Sequence, residues 1–138
     1  MGTDHELIRS IYAAANRGDF DTMLASFSPD IEWVTPTRTI RGLDALGGWL
    51  GGWSTSYSPT HEIEELMDIG DDVLALVTVT YQGRDPNTPA HIWTLRDGLV
   101  MRVHVHPVRA GVLRRLNIAP QASRGETPIA PSAGDVAV

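Results

Sequence analysis

The chain has 138 residues, 42% of them hydrophobic, and a net charge of -6, which suits one domain with a real core. It lacks cysteine and all 11 basic residues are arginine, so thiolate nucleophiles, disulfides, cysteine metal sites and lysine Schiff bases are excluded. Arg114-Arg115 is the only basic pair, which makes nucleic acid a poor partner.

No apolar run approaches the ~20 residues a bilayer needs, so no membrane partner is expected. The opening residues lack the basic and apolar regions of a secretory signal, which makes the cytoplasm the expected location.

The first segment reads as a helix. Thr3 and Glu6 have capping-box spacing, and Leu7, Ile8, Ile11, Tyr12 and Ala15 recur at helical intervals. Asn16 to Asp19 closes it, with Gly18 suited to the left-handed position. A second helix follows with Phe20, Met23, Leu24 and Phe27 inward and Pro29 as its stop. Ile31 to Thr35 reads as a short strand.

Gly42 introduces a third helix that carries Leu43, Leu46, Trp49, Leu50 and Trp53. Gly47, Gly48, Gly51 and Gly52 interrupt it, each at a cost of ~1 kcal/mol relative to alanine. Close packing against a neighbour, or room for a ligand beside the tryptophans, has to offset that; packing is the preferred reading.

The second half reads as strands. His61 to Met67 is one, and a turn at Gly70 to Asp72 leads into Val73 to Tyr81, apolar on both faces and therefore central. Gly83 to Pro89 reads as a loop. Ala90 to Arg96 and Leu99 to His106 form a hairpin across Asp97-Gly98. The fold class is α+β: helices on one face of a curved antiparallel sheet, enclosing a cone-shaped hollow where a small ligand can bind. Residues 1–117 form the domain and 118–138, rich in Gly, Pro, Ser and Ala, a disordered tail.

The runs Tyr12 to Asp19, Phe27 to Trp33, Arg41-Gly42 and Ile92 to Gly98, in this order, resemble the SnoaL-like, polyketide cyclase-like branch of the NTF2-like superfamily. The resemblance spans roughly residues 5–115. It implies an NTF2-like cone, with the sheet wrapped around the N-terminal helices. It also implies one of several activities, among them cyclases, ketosteroid isomerases, epoxide hydrolases, dehydratases and non-catalytic binding modules.

Against that resemblance, Tyr12 stands where ketosteroid isomerases keep the tyrosine of their oxyanion hole, and His91 stands on the strand of the second donor. Thr35, before Pro36, replaces the isomerases' catalytic carboxylate, which disfavours conventional ketosteroid isomerisation. The cyclases' acid/base aspartate near the end of the last strand is matched by His106, or by His104 with a shift.

With a plain two-residue turn, Trp93 pairs with Arg102 and His91 with His104, and His91, Trp93, Arg102, His104 and His106 share one face. One β-bulge would swap the faces of the last strand. A metal site built from the three imidazoles is the alternative use of this cluster, but related folds seldom use metals so, and no metal or cofactor is expected. Trp33, Trp49, Trp53 and Trp93 would form an aromatic wall for a flat ligand. Asp30, Glu32, Asp44, Glu62, Glu64 and Glu65 read as solvated charges.

The expectation is therefore a cofactor-independent cyclase or isomerase acting on an apolar cyclic, polyketide-like molecule. His91, His106, His104 and Tyr12 are the candidate catalytic residues; Trp33, Trp49, Trp53, Trp93, Arg102 and Thr35 are the candidate substrate-binding ones. A non-catalytic binding module and an epoxide-opening hydrolase are the alternatives. Outward Ile92 and Val103 predict a homodimer that covers an apolar sheet face.

Overall fold

The structure, a computed structural model, describes residues 2–118. The expected tail lies outside the described residues from 119 onward, and so does the side chain of Thr3 in the expected capping box. In chain order the elements are α1 (Gly2–Asn16), α2 (Phe20–Leu24), β1 (Phe27–Val34), β2 (Thr39–Arg41), α3 (Leu43–Tyr57), β3 (Thr60–Ile69), β4 (Asp72–Tyr81), β5 (Arg84–Asn87), β6 (Ala90–Arg96), β7 (Leu99–His106) and α4 (Arg109–Arg115).

The strands form one curved sheet in the order β2-β1-β7-β6-β4-β3, with β5 paired to β4. β1 runs parallel to β7, and the other pairings are antiparallel.

The apolar stripe of α1 forms as its spacing dictates. Ile8, Ile11, Tyr12 and Ala14 are buried, and Gly18 ends the helix region at φ 74°. The second helix stops at Leu24 rather than running to Phe27, because β1 has already begun at Phe27. Pro29 therefore sits inside a strand, where β1's register against β7 is interrupted between Phe27 and Glu32. No regular ladder bond is asked of its missing N–H there. The short strand β5 lies in the stretch read as a loop, and β2 adds an edge strand where none was expected.

β4 is central, as its two apolar faces predict. Val73, Ala75, Val77 and Val79 face the helices α1, α2 and α3 and belong to the main core. Leu74 and Leu76 point to the other face, where Val112 and Leu113 of α4 cover them together with Ala90. This second layer also takes in Ile92, and Val103 is fully buried in the main core. Ile92 thus lies on the outer face as expected, partly covered there, whereas Val103 turns inward and adds nothing to that face.

Two bulges decide which side chains face where. The Asp97-Gly98 turn has both residues at positive φ, 54° and 78°, the backbone of a tight hairpin turn. Yet Thr94 pairs with Arg102 and Leu95 with Val100, so Met101 is the extra residue. Beyond it Trp93 faces Val103 and His91 faces Val105, correcting the plain-register pairing of Trp93 with Arg102 and His91 with His104.

The other bulge lies in β3 between Ile63 and Glu65. It corrects the reading of Glu64 as solvated: its side chain is 4% exposed and holds Arg109 of α4 through two bonds of 3.0 and 3.1 Å. Arg109 also donates to the carbonyls of Val77 and Thr88, and Thr78 donates to Glu64. This fully bonded pair pins α4 to the sheet.

Candidate active site

A cavity lies between the helices and the concave sheet face, lined by Ile11, Tyr12, Ala15, Phe20, Met23, Trp33, Leu50, Trp53, Pro59, His61, His91 and Trp93. Its free volume is about 20 Å³, room for about one water. Among the described residues no carboxylate, guanidinium or ammonium lines it. Its polar groups are a phenol, two imidazoles and indole N–H groups.

Strand alternation brings His91 and Trp93 of β6 to one face, while helical spacing turns Tyr12 of α1 toward them. The Trp93 indole donates to the Tyr12 hydroxyl at 3.1 Å, and that hydroxyl meets His91 Nδ1 at 2.5 Å. If the phenol donates, His91 carries its proton on Nε2; if the imidazole donates, the phenol keeps its own. Either tautomer leaves the pair one further proton to donate. Burial pushes the Tyr12 phenol well above its ordinary pKa, and the Trp93 bond only partly opposes this. Tyr12 is therefore a neutral donor.

His61 enters the cavity from the start of β3. Asn16, the last residue of α1, fixes it: the Asn16 Oδ1 accepts from the His61 backbone N–H at 2.7 Å, and the Asn16 Nδ2 donates to the His61 carbonyl at 2.8 Å. The same Oδ1 lies 3.3 Å from the His61 ring Nδ1. His61 packs 5.5 Å from the Tyr12 ring, 5.7 Å from Trp53 and 6.4 Å from His91, between centroids. Loss of water around the ring pushes its pKa down to about 4.

The aromatic wall is built as the sequence implies, except that Trp49 stands behind it, parallel to Trp53 with centroids 6.1 Å apart. Trp33, Trp53 and Trp93 line the cavity. The indole N–H groups of Trp33 and Trp53 are buried and find no partner among the described residues.

The remaining candidates stand elsewhere. His104 and His106 alternate with the inward Val103 and Val105 and so project from the opposite face, their rings stacked 4.3 Å apart. Burial first, then the charge of His104 and of Arg115, pushes His106 down to about 4. The bulge at Met101 thus separates both histidines from His91 and takes apart the cluster that a three-imidazole metal site needed. Arg102 is exposed and pairs with Glu32. Thr35 closes the link from β1 to β2 by bonding Arg38, outside the cavity lining.

His61 is the member that sequence reasoning missed. The available signal was alternation, since exposed Glu62 lies between His61 and the core residue Ile63.

Residues 8–103 match the family described as the SnoaL-like domain. This chain belongs to that family. The SnoaL-like domain here also has the fold of several solved structures. An NTF2-like protein of unknown function from Burkholderia pseudomallei K96243 superposes with a TM-score of 0.70 at 23% identity, covering 83% of this chain and 97% of that one. A candidate polyketide cyclase from Sinorhizobium meliloti gives 0.69 at 22% identity over 73% and 94%. TerC, co-crystallised with polyporic acid, gives 0.68 at 23% identity over 81% and 96%. No curated protein matches this SnoaL-like chain in sequence.

Proposed function

We propose that this SnoaL-like domain is a cofactor-independent enzyme carrying out acid/base chemistry of the cyclase or isomerase type on an apolar cyclic, polyketide-like substrate. The observation that carries the reading is the buried Trp93–Tyr12–His91 hydrogen-bonded chain in a cavity that is otherwise apolar but for His61 and two indole N–H groups. A dry phenol held by a tryptophan and a histidine is organised to donate to an oxygen that gains negative charge. The partnerless N–H groups of Trp33 and Trp53 add donors for other substrate oxygens. The likeness to a candidate cyclase and to a protein crystallised with polyporic acid supports the substrate class.

The cavity holds about 20 Å³, so a ring enters only by displacing wall side chains, of which Met23 is the most adaptable. Tyr12→Phe and His91→Ala, assayed against a panel of cyclic ketones and phenolic polyketides, are each expected to lower turnover about a hundredfold or more. Folded variants with undiminished turnover would refute the reading. The narrow cavity and the threonine at position 35 favour, as a second reading, a module that binds without reacting. Quenching of tryptophan fluorescence by a ligand recovered unchanged would select it.

A further inference from the structure

The donor side of the site is Tyr12 with His91, but acid/base turnover also needs an acceptor for the substrate's proton. Among the described residues no carboxylate lines the cavity, which leaves imidazole as the available base. We propose that His61 is the catalytic base of this site, with Asn16 as the residue that sets its tautomer. This rests on the acid/base reading above.

A carboxamide oxygen only accepts, so the contact between Asn16 Oδ1 and His61 Nδ1 requires the ring proton on Nδ1. The neutral ring then carries its lone pair on Nε2, which takes no hydrogen bond among the described residues. The two further bonds from Asn16 to the His61 backbone hold the residue from the end of α1, so ring and support move together. Supporting bonds of this kind are how proteins select one imidazole nitrogen for chemistry.

The groups that face the ring are Tyr12 from α1, Trp53 from α3 and His91 from β6, none a fixed charge. The imidazole therefore stays neutral, with its lone pair available to take a proton, through the physiological range. In the step itself Nε2 takes a proton from a carbon beside a substrate carbonyl. The C–H electron pair forms the enolate, and its oxygen receives the bond from the Tyr12–His91 pair. The proton on Nε2 then returns to another substrate atom.

Two measurements on the full chain test this without the natural substrate. Two-bond proton–nitrogen NMR of the labelled protein should show His61 protonated on Nδ1 near neutral pH and gaining its second proton only at about 4. Asn16→Ala should move it toward the Nε2-protonated form that free imidazole prefers.

The second uses nitrobenzisoxazole, whose ring opens when a base removes its C–H proton: the electron pair completes the nitrile, the N–O bond breaks and a coloured phenolate leaves. The protein should accelerate this opening, with a rate that rises through about pH 4 and then levels. His61→Leu should lose about a hundredfold, while Gly52→Ala, on the open side of α3 and away from the cavity, should keep the rate.

An Nε2-protonated tautomer, titration at the ordinary histidine value, no acceleration by the unmodified protein, or acceleration that survives His61→Leu would each overturn the assignment. If that happens while Tyr12→Phe and His91→Ala still abolish ketone turnover, the acid/base reading stands with another base. If those two variants keep their turnover, the broader reading itself fails.

Discussion

Lowering the pH should destabilise this protein through His61, and the size of the effect follows from its burial. The ring is held neutral in the folded state, with its pKa pushed down to about 4, whereas an unfolded histidine titrates at about 6.5. As pH falls below the unfolded value, the unfolded chain binds a proton that the native chain refuses. Stability is therefore fully present above about 6.5, falls through the interval, and stops falling below about 4.

At ~1.4 kcal/mol per pH unit, the native state loses about 2 kcal/mol between about pH 7 and pH 5 from this group alone. Half-buried His106 acts in the same direction, so the raw pH dependence is a sum. His61→Leu isolates the His61 share, because it removes one titrating ring while the backbone bonds to Asn16 remain possible. Urea unfolding of both proteins at the two pH values gives the difference directly. The variant should lose about 2 kcal/mol less than the parent on acidification. Parallel pH dependences would show that His61 is not shielded from water in the folded protein, and the reasoning would fall.

Two further predictions concern stability. Arg109→Met leaves Glu64 buried without its bidentate partner and should cost about 3–5 kcal/mol, whereas Arg109→Met with Glu64→Leu should recover most of that loss; denaturant unfolding of the three proteins reads it. On α3, a methyl group at exposed Gly52 meets open space, so Gly52→Ala should raise stability by about 1 kcal/mol in thermal unfolding. Gly47→Ala should gain less or nothing, since the added carbon would lie 3.3 Å from Leu24.

Those glycines illustrate how far the sequence could be read. Packing was the preferred explanation for all four, and contact with α2 supports it at Gly47; Gly48, Gly51 and Gly52 face open space and gain nothing from it. The helices, the central strand and the hairpin were legible because periodicity and turn chemistry are local. Tyr12, His91 and three of the four tryptophans were placed at the cavity for the same reason. His104 and His106 were misplaced because a single extra residue, Met101, inverts alternation and leaves no compositional trace. Glu64 was misread likewise: its bulge and its partner Arg109, 45 residues away, exist only in three dimensions. His61 stood in plain view on a strand, but its support comes from Asn16, on another element.

The extra residue in β7 also decides what the interior surface of this wall is made of. Because Met101 is the surplus residue, deleting it would leave Thr94 opposite Arg102 and Trp93 opposite Val103, so the strand would straighten with Val103 and Val105 still turned into the hollow. Were Met101 instead taken into a regular ladder, Arg102, His104 and His106 would turn inward, so this one bulge keeps basic groups out of a greasy lining.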